Sequence, residues 1–256
     1  MFKNKLQLPL LLLALSSINL VFSQRNVKDE SIGTPLIGIH YGLNQPTKDL
    51  NDRFGMLNHL GFISGYKTKS NWFIGIEGNF IFGNQIKEDS LLQNLKDSYG
   101  NITDINGDIA VVPLFSRGFN TNVSIGKIIP VFSPNPNSGI FINTGVGYMA
   151  YRIRIESNNQ VIPQIELKYK KGYDRLTSGI CTHQFIGYSY LSNSGFYNWY
   201  AGFYSQQGFT TNQREIFFDQ PKVAVSKAIR KDFSYGFKLG WLIPIYKRKP
   251  KEFYFN

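Results

Sequence analysis

With a single cysteine, Cys181, in 256 residues, the chain cannot form an internal disulfide. If exported to an oxidising compartment, it must rely on strand pairing and packing for stability. Beyond the N-terminal run, no uninterrupted apolar stretch is long enough for a membrane helix. Motifs for chemistry are missing as well: there is no nucleophile motif, phosphate-cradling glycine loop or cysteine metal cluster. Gly145 and Gly147 form a Gly-x-Gly pair, but within a strand pattern such glycines admit a close neighbour rather than a nucleotide. Acidic residues are scarce, 17 against 28 Lys and Arg, which makes the chain basic at +11.

At the N-terminus, Lys3 and Lys5 precede an apolar core from Leu6 to Phe22, which is broken by Pro9 and ends V-F-S before Gln24. This pattern predicts a secretory signal peptide over residues 1–23, because the core is too short and kinked for an uncleaved anchor. No cysteine follows that could carry a lipoprotein anchor. Losing Lys3 and Lys5 lowers the net charge from +11 to +9. On an exported chain that balance points to outer-membrane lipids and lipopolysaccharide as partners, not to nucleic acid.

What the chain does have is aromatics, at 15%, and 24 glycines, a composition open to a secreted β-sandwich or a membrane barrel. Strand patterning separates the two. In residues 233–246 every odd position is bulky and apolar from Phe233 to Ile245, while Ser234, Gly236, Lys238 and Gly240 alternate with them. Period two over this length predicts a strand with an apolar face for lipid and a polar face for a barrel interior. Similar alternation predicts strands at 34–44, 56–67, 72–82, 119–129, 139–151, 176–191 and 198–209. In the sixth of the eight, Thr182 and Gln184 interrupt the apolar face. The segment 83–118 reads as a long loop in which Leu91, Leu92 and Leu95 have helical spacing, and 152–175 as a basic loop containing Lys168, Lys170 and Lys171.

The connections alternate long and short, apart from a medium proline-rich turn after Ile129. That rhythm predicts an all-β, eight-stranded antiparallel up-and-down transmembrane barrel with short periplasmic turns and long extracellular loops. The expected organisation is a signal peptide over 1–23, a periplasmic lead over 24–33, the barrel over 34–246 and a tail over 247–256, with both termini periplasmic. Eight strands enclose an interior filled by side chains, which argues against a diffusion pore.

The segments G-I-H-Y-G-L-N, W-F-I-G-I-E-G-N-F-I-F, G-I-F-I-N-T-G-V-G-Y and S-Y-G-F-K-L-G-W-L-I-P-I-Y resemble strands of the small outer-membrane β-barrel proteins of the Bacteroidota. Members of that family commonly finish on an aromatic residue closing the last strand, whereas here K-R-K-P-K-E-F-Y-F-N runs on. The resemblance implies little about activity. Some relatives are accessory parts of secretion or outer-membrane assembly machines, the type IX secretion system among them.

His40, His59 and His183 fall on inward phases and read as polar lining, with metal ligation the other chemistry open to imidazole. Glu77 lies six positions above Asn71, and Lys238 eight above Tyr246, both inward on nearly opposite strands. A direct or water-bridged contact between them is expected, since an unpaired buried charge is costly. In the tail, Lys247, Arg248, Lys249 and Lys251 precede Phe253, Tyr254 and Phe255, which suits an interfacial anchor or a dock for a partner. The function expected is a non-enzymatic structural or accessory subunit of an envelope export or assembly complex, without cofactor or metal. A lipid-modifying barrel enzyme is the alternative, and an outward-opening Ser/His pair near the membrane boundary would mark it.

Overall fold

The computed structural model describes residues 28–158, 160–166, 168–193 and 197–245. The signal segment and the basic-aromatic tail from Lys247 to Phe255 lie outside them. Eight antiparallel strands form a closed barrel: β1 (Thr34–Lys48), β2 (Leu57–Lys67), β3 (Trp72–Gly83), β4 (Leu114–Ile129), β5 (Gly139–Ile155), β6 (Thr177–Tyr190), β7 (Trp199–Asn212) and β8 (Arg230–Pro244). Each strand pairs with its neighbours in sequence, and β8 closes onto β1 with Leu43 opposite Phe237. Closure leaves no unpaired edge, the condition for crossing a membrane with strands.

Period two sorts the side chains. Ile37, Ile39, Tyr41 and Leu43 of β1 and Tyr235, Phe237, Leu239 and Trp241 of β8 face outward and exposed, with Ile39 at 60%. The same holds around the wall, where Phe203 of β7 is 71% exposed. An apolar belt of this kind, interrupted on β6 and β7 by Thr182, Gln184, Ser205 and Gln207, is the inverse of a water-soluble surface and calls for hydrocarbon around it. Thr182 does face outward, where its hydroxyl donates to Gln207 Oε1 at 2.8 Å, while Gln207 Nε2 donates to Ser205 Oγ at 2.7 Å.

Several strands outrun the sequence reading. Residues 45–48 continue β1 instead of opening a loop, pairing with 232–235 of β8. Pairing to β2 stops at Asn44, so Pro46 has β8 alone as a neighbour and its missing N–H breaks no ladder. A short helix, α1 (Asp49–Arg53), then leads toward β2. Strand β5 continues through Arg152–Ile155, because Leu114–Arg117 begin β4 early and pair with them. The loop 84–113 holds a 3-10 turn (Gln93–Leu95), where Leu91, Leu92 and Leu95 had helical spacing, and a two-stranded ribbon (Ile102–Thr103 with Ile109–Ala110).

Part of the interior also departs from the polar lining expected. Toward the short connections, the inward side chains Leu36, Ile63, Phe73, Phe141, Phe185 and Leu242 form an apolar base with Tyr200 and Tyr204. The Phe73 and Phe141 rings meet edge-on at 5.9 Å. Relative to a water-filled lumen, each such side chain contributes about 1.5–3 kcal/mol.

Candidate functional site: the sealed lumen and its two closures

At mid-height, Lys238 Nζ lies 2.5 Å from Glu77 Oε1, and both side chains are at most 3% exposed. The register explains the meeting: Glu77 is inward on β3 and Lys238 inward on β8, three strands apart around the ring. The Lys238 ammonium also sits 3.8 Å from the centroid of the Tyr204 ring, a cation–π contact strengthened by exclusion of water. Asn79 Nδ2 donates to Glu77 Oε1 at 2.9 Å and to Asn120 Oδ1 at 2.8 Å. Asn120 Nδ2 then donates to Gln206 Oε1 at 3.0 Å, so polar groups run across the lumen from β3 to β7.

This network assigns the tautomer of His40. The Asn79 amide gives its N–H groups to Glu77 and Asn120, leaving Oδ1 as an acceptor 2.6 Å from His40 Nε2. Nε2 therefore carries the proton, and Nδ1 accepts from the Tyr200 hydroxyl at 2.9 Å. Gly240 makes room for this arrangement, since a Cβ there would overlap the Tyr200 ring.

His59 and His183 come to the same level by another route, each packing its ring against Tyr204, His183 stacked at 5.8 Å. Among the described residues no group of three or more His, Cys, Asp or Glu is arranged to hold a metal ion. All three histidines are at most 2% exposed and point into the lumen, so none of them forms the outward-opening Ser/His pair of a lipid-modifying site.

The end with the short connections is closed by the proline-rich turn at 130–138. Lys67 Nζ, buried, donates to Asn137 Oδ1 at 2.9 Å and to the Ile32 carbonyl at 3.0 Å. Asn71, at positive φ in the β2–β3 turn, donates from Nδ2 to the Pro136 carbonyl at 2.8 Å. Asparagine tolerates that backbone conformation at little cost.

At the other end the long loops fold over the barrel as a cap. Leu91 and Leu92, together with Ile102, Ile153, Ile162, Ile165 and Tyr173, form its core. Arg175 clamps Asp219 with two bonds, at 2.8 and 2.6 Å, and reaches Glu88 at 2.7 Å, while Arg53 meets the same Glu88 at 3.0 Å. Burial opposes the Arg175 charge, but its bonds to Asp219 and Glu88 outweigh that and raise its pKa above the usual arginine value. Arg214 is raised in the same direction by its paired bonds to Asp174. On this side Lys168 is exposed just before a 3-10 turn (Tyr169–Gly172), within which Lys171 is exposed and Lys170 half-buried. Arg175, Asp219, Glu88, Asn79 and Gln206 were not named as site residues from sequence. Inward phase could have found Gln206 and Asn79, while the cap cluster joins residues 44 and 87 positions apart.

The fold and the packed lumen define a closed, side-chain-filled β-barrel of eight strands. No protein-family model matches the sequence, and no curated protein matches it. Among solved structures, Neisserial surface protein A is similar at 10% identity, over 84% of this chain and 99% of that one, with a TM-score of 0.43. Ail, the attachment invasion locus protein of Yersinia pestis, solved with the heparin analogue sucrose octasulfate, is similar at 9% identity over 82% and 99%, TM-score 0.39. The outer membrane protein OprG from Pseudomonas aeruginosa gives 8% over 86% and 99%, TM-score 0.36. The barrel assignment stands on the strand pairing of this chain itself.

Proposed function

We propose that the chain is an integral barrel of a bacterial outer membrane that works without catalysis, as a structural or accessory subunit of an envelope protein export or assembly complex of the type IX secretion kind. In this reading the short connections and both termini are periplasmic and the cap is extracellular. The observation that carries it is the filled lumen, tied across by Glu77, Lys238, Asn79, Asn120 and Gln206. With the interior occupied by the protein's own side chains, the outer surfaces remain for meeting other molecules. The ordered cap, with its own core and ion pairs, supplies a rigid surface of the kind a partner needs.

The test is isolation of the tagged chain from crosslinked outer membranes in mild detergent, with identification of what accompanies it. Envelope proteins recovered in fixed proportion, and lost when the cap is loosened by Arg175→Gln, are the expected result. Recovery of the chain alone after crosslinking would remove the accessory-subunit reading.

A further inference from the structure

Three arginines stand on the outer wall of the barrel just above its lipid-facing belt. Arg117 of β4 and Arg152 of β5 are direct cross-strand partners, and Arg154 pairs with Phe115 one step further toward the cap. Their phase is outward, because the alternating residues Ser116, Tyr151 and Ile153 are buried inward. Like charges directly opposite on neighbouring strands repel and lower the stability of the pair. The chain offers little to offset this: Glu156 binds Arg154 Nε at 2.7 Å. Arg117 Nη1 donates to the Ser116 carbonyl at 2.8 Å, and among the described residues neither Arg117 nor the exposed Arg152 has a carboxylate partner.

Depth says what meets these groups. On the same outward face, the next positions toward the lipid are Phe119 and Ala150, then Tyr148, with Phe119 and Tyr148 in ring contact at 6.5 Å. Across β3, Arg117 faces Phe82, which stacks on Phe80 at 5.8 Å. Aromatic girdles mark the boundary between hydrocarbon and headgroups. The guanidinium groups above this girdle are therefore at headgroup depth, and the Phe115 ring, 5.0 Å from the Arg117 guanidinium, supports that side chain from beside it.

We propose that Arg117 and Arg152, with Arg154 beside them, form a binding site for a phosphate group carried by an outer-leaflet glycolipid. The inference rests on the placement of the cap outside the cell. Two planar guanidinium groups on adjacent strands can each give paired N–H bonds to phosphate oxygens, and the shared anion converts their repulsion into attraction. Sugar and acyl chains of the same lipid would then lie down the aromatic girdle.

The experiment uses the full chain in detergent, titrated with phosphorylated lipid A, with dephosphorylated lipid A and with inorganic phosphate alone. Bound lipid is read by native mass spectrometry. The variant R117Q/R152Q is expected to bind phosphorylated lipid A about thirtyfold more weakly than the parent. Dephosphorylated lipid A should bind parent and variant alike. In lipid-free detergent R152Q should melt no lower than the parent, since it removes a repulsion. Equal binding of phosphorylated lipid A to parent and variant, or a lowered melting point for R152Q without lipid, overturns the site. Inorganic phosphate binding as tightly as the lipid overturns the glycolipid assignment. A variant that still shifts in gel mobility on heating shows that any loss belongs to the site and not to the barrel. A parent chain that fails to sediment with outer membranes would instead strike at the underlying placement.

Discussion

Two of the ionic clusters among the described residues are built from the same chemistry in different places, one in the lumen and one in the cap. In the lumen, Glu77 and Lys238 form a pair at most 3% exposed, walled by Tyr204 and by the Asn79–Asn120 amides. In the cap, Arg175 bridges Asp219 and Glu88, and the Glu88 side chain keeps 18% of its exposure to water. Removing a partner in the lumen leaves a charge with nowhere to hydrate, whereas in the cap the Arg175–Asp219 contact is equally buried, at 4% and 2%, and water can approach only at Glu88. The same kind of bond therefore ties the barrel wall across its middle in one place and holds three loops together, with one partly hydrated carboxylate, in the other.

The largest effect should come from Glu77→Gln, which orphans Lys238 and is expected to lower barrel stability by about 3–5 kcal/mol. Adding Lys238→Met should recover part of that loss, because the stranded charge is gone. Melting of both single variants and the double variant checks this, and strict additivity would mean the two side chains do not interact. Arg175→Gln should cost less, about 1.5–3 kcal/mol, and the loss should be confined to the cap. Hydrogen exchange would then rise in 84–113 and 213–229 while the strands stay protected. Because the Arg175 pKa is raised above its unfolded value, its contribution is complete at lower pH and is lost only as strongly alkaline pH passes the folded value. Cap protection should thus not decline between neutral and mildly alkaline pH through this residue.

At the opposite mouth, Lys67→Met removes the bonds to Asn137 and Ile32, at a cost of about 1 kcal/mol. Faster exchange at 130–138 with an unchanged upper barrel is the expected pattern. The smallest effect is expected from protease added to whole cells, cutting beside the exposed Lys168 and Lys171. The cut should leave a C-terminal epitope intact and the barrel folded, and loss of the epitope alone would mean the orientation is reversed.

The wall of this barrel was legible in its sequence because period two is a local signal. Alternation assigned Ile37, Ile39 and Tyr41 outward and His40 inward, and the structure places them so. Phe73, Phe141 and Phe185 were harder, because near the short connections apolar residues occupy both phases and alternation no longer marks the inner face. Arg152 and Arg154 alternate with Ile153 and Ile155 in plain view, but a run of positive charge reads as a loop until Leu114–Arg117 are known to pair with it. The cap was illegible for a different reason: Glu88, Arg175 and Asp219 come from three separate loops, and nothing local brings them together.

The central claim, a closed and filled barrel seated in an outer membrane, is tested most directly by gel mobility of the protein from carbonate-washed membranes, loaded with and without heating. The account predicts that the chain stays with the membranes and migrates as a compact form that shifts on heating, since a closed ring of strand pairs resists detergent until heat opens it. Release into carbonate, or a mobility indifferent to heating, would contradict it.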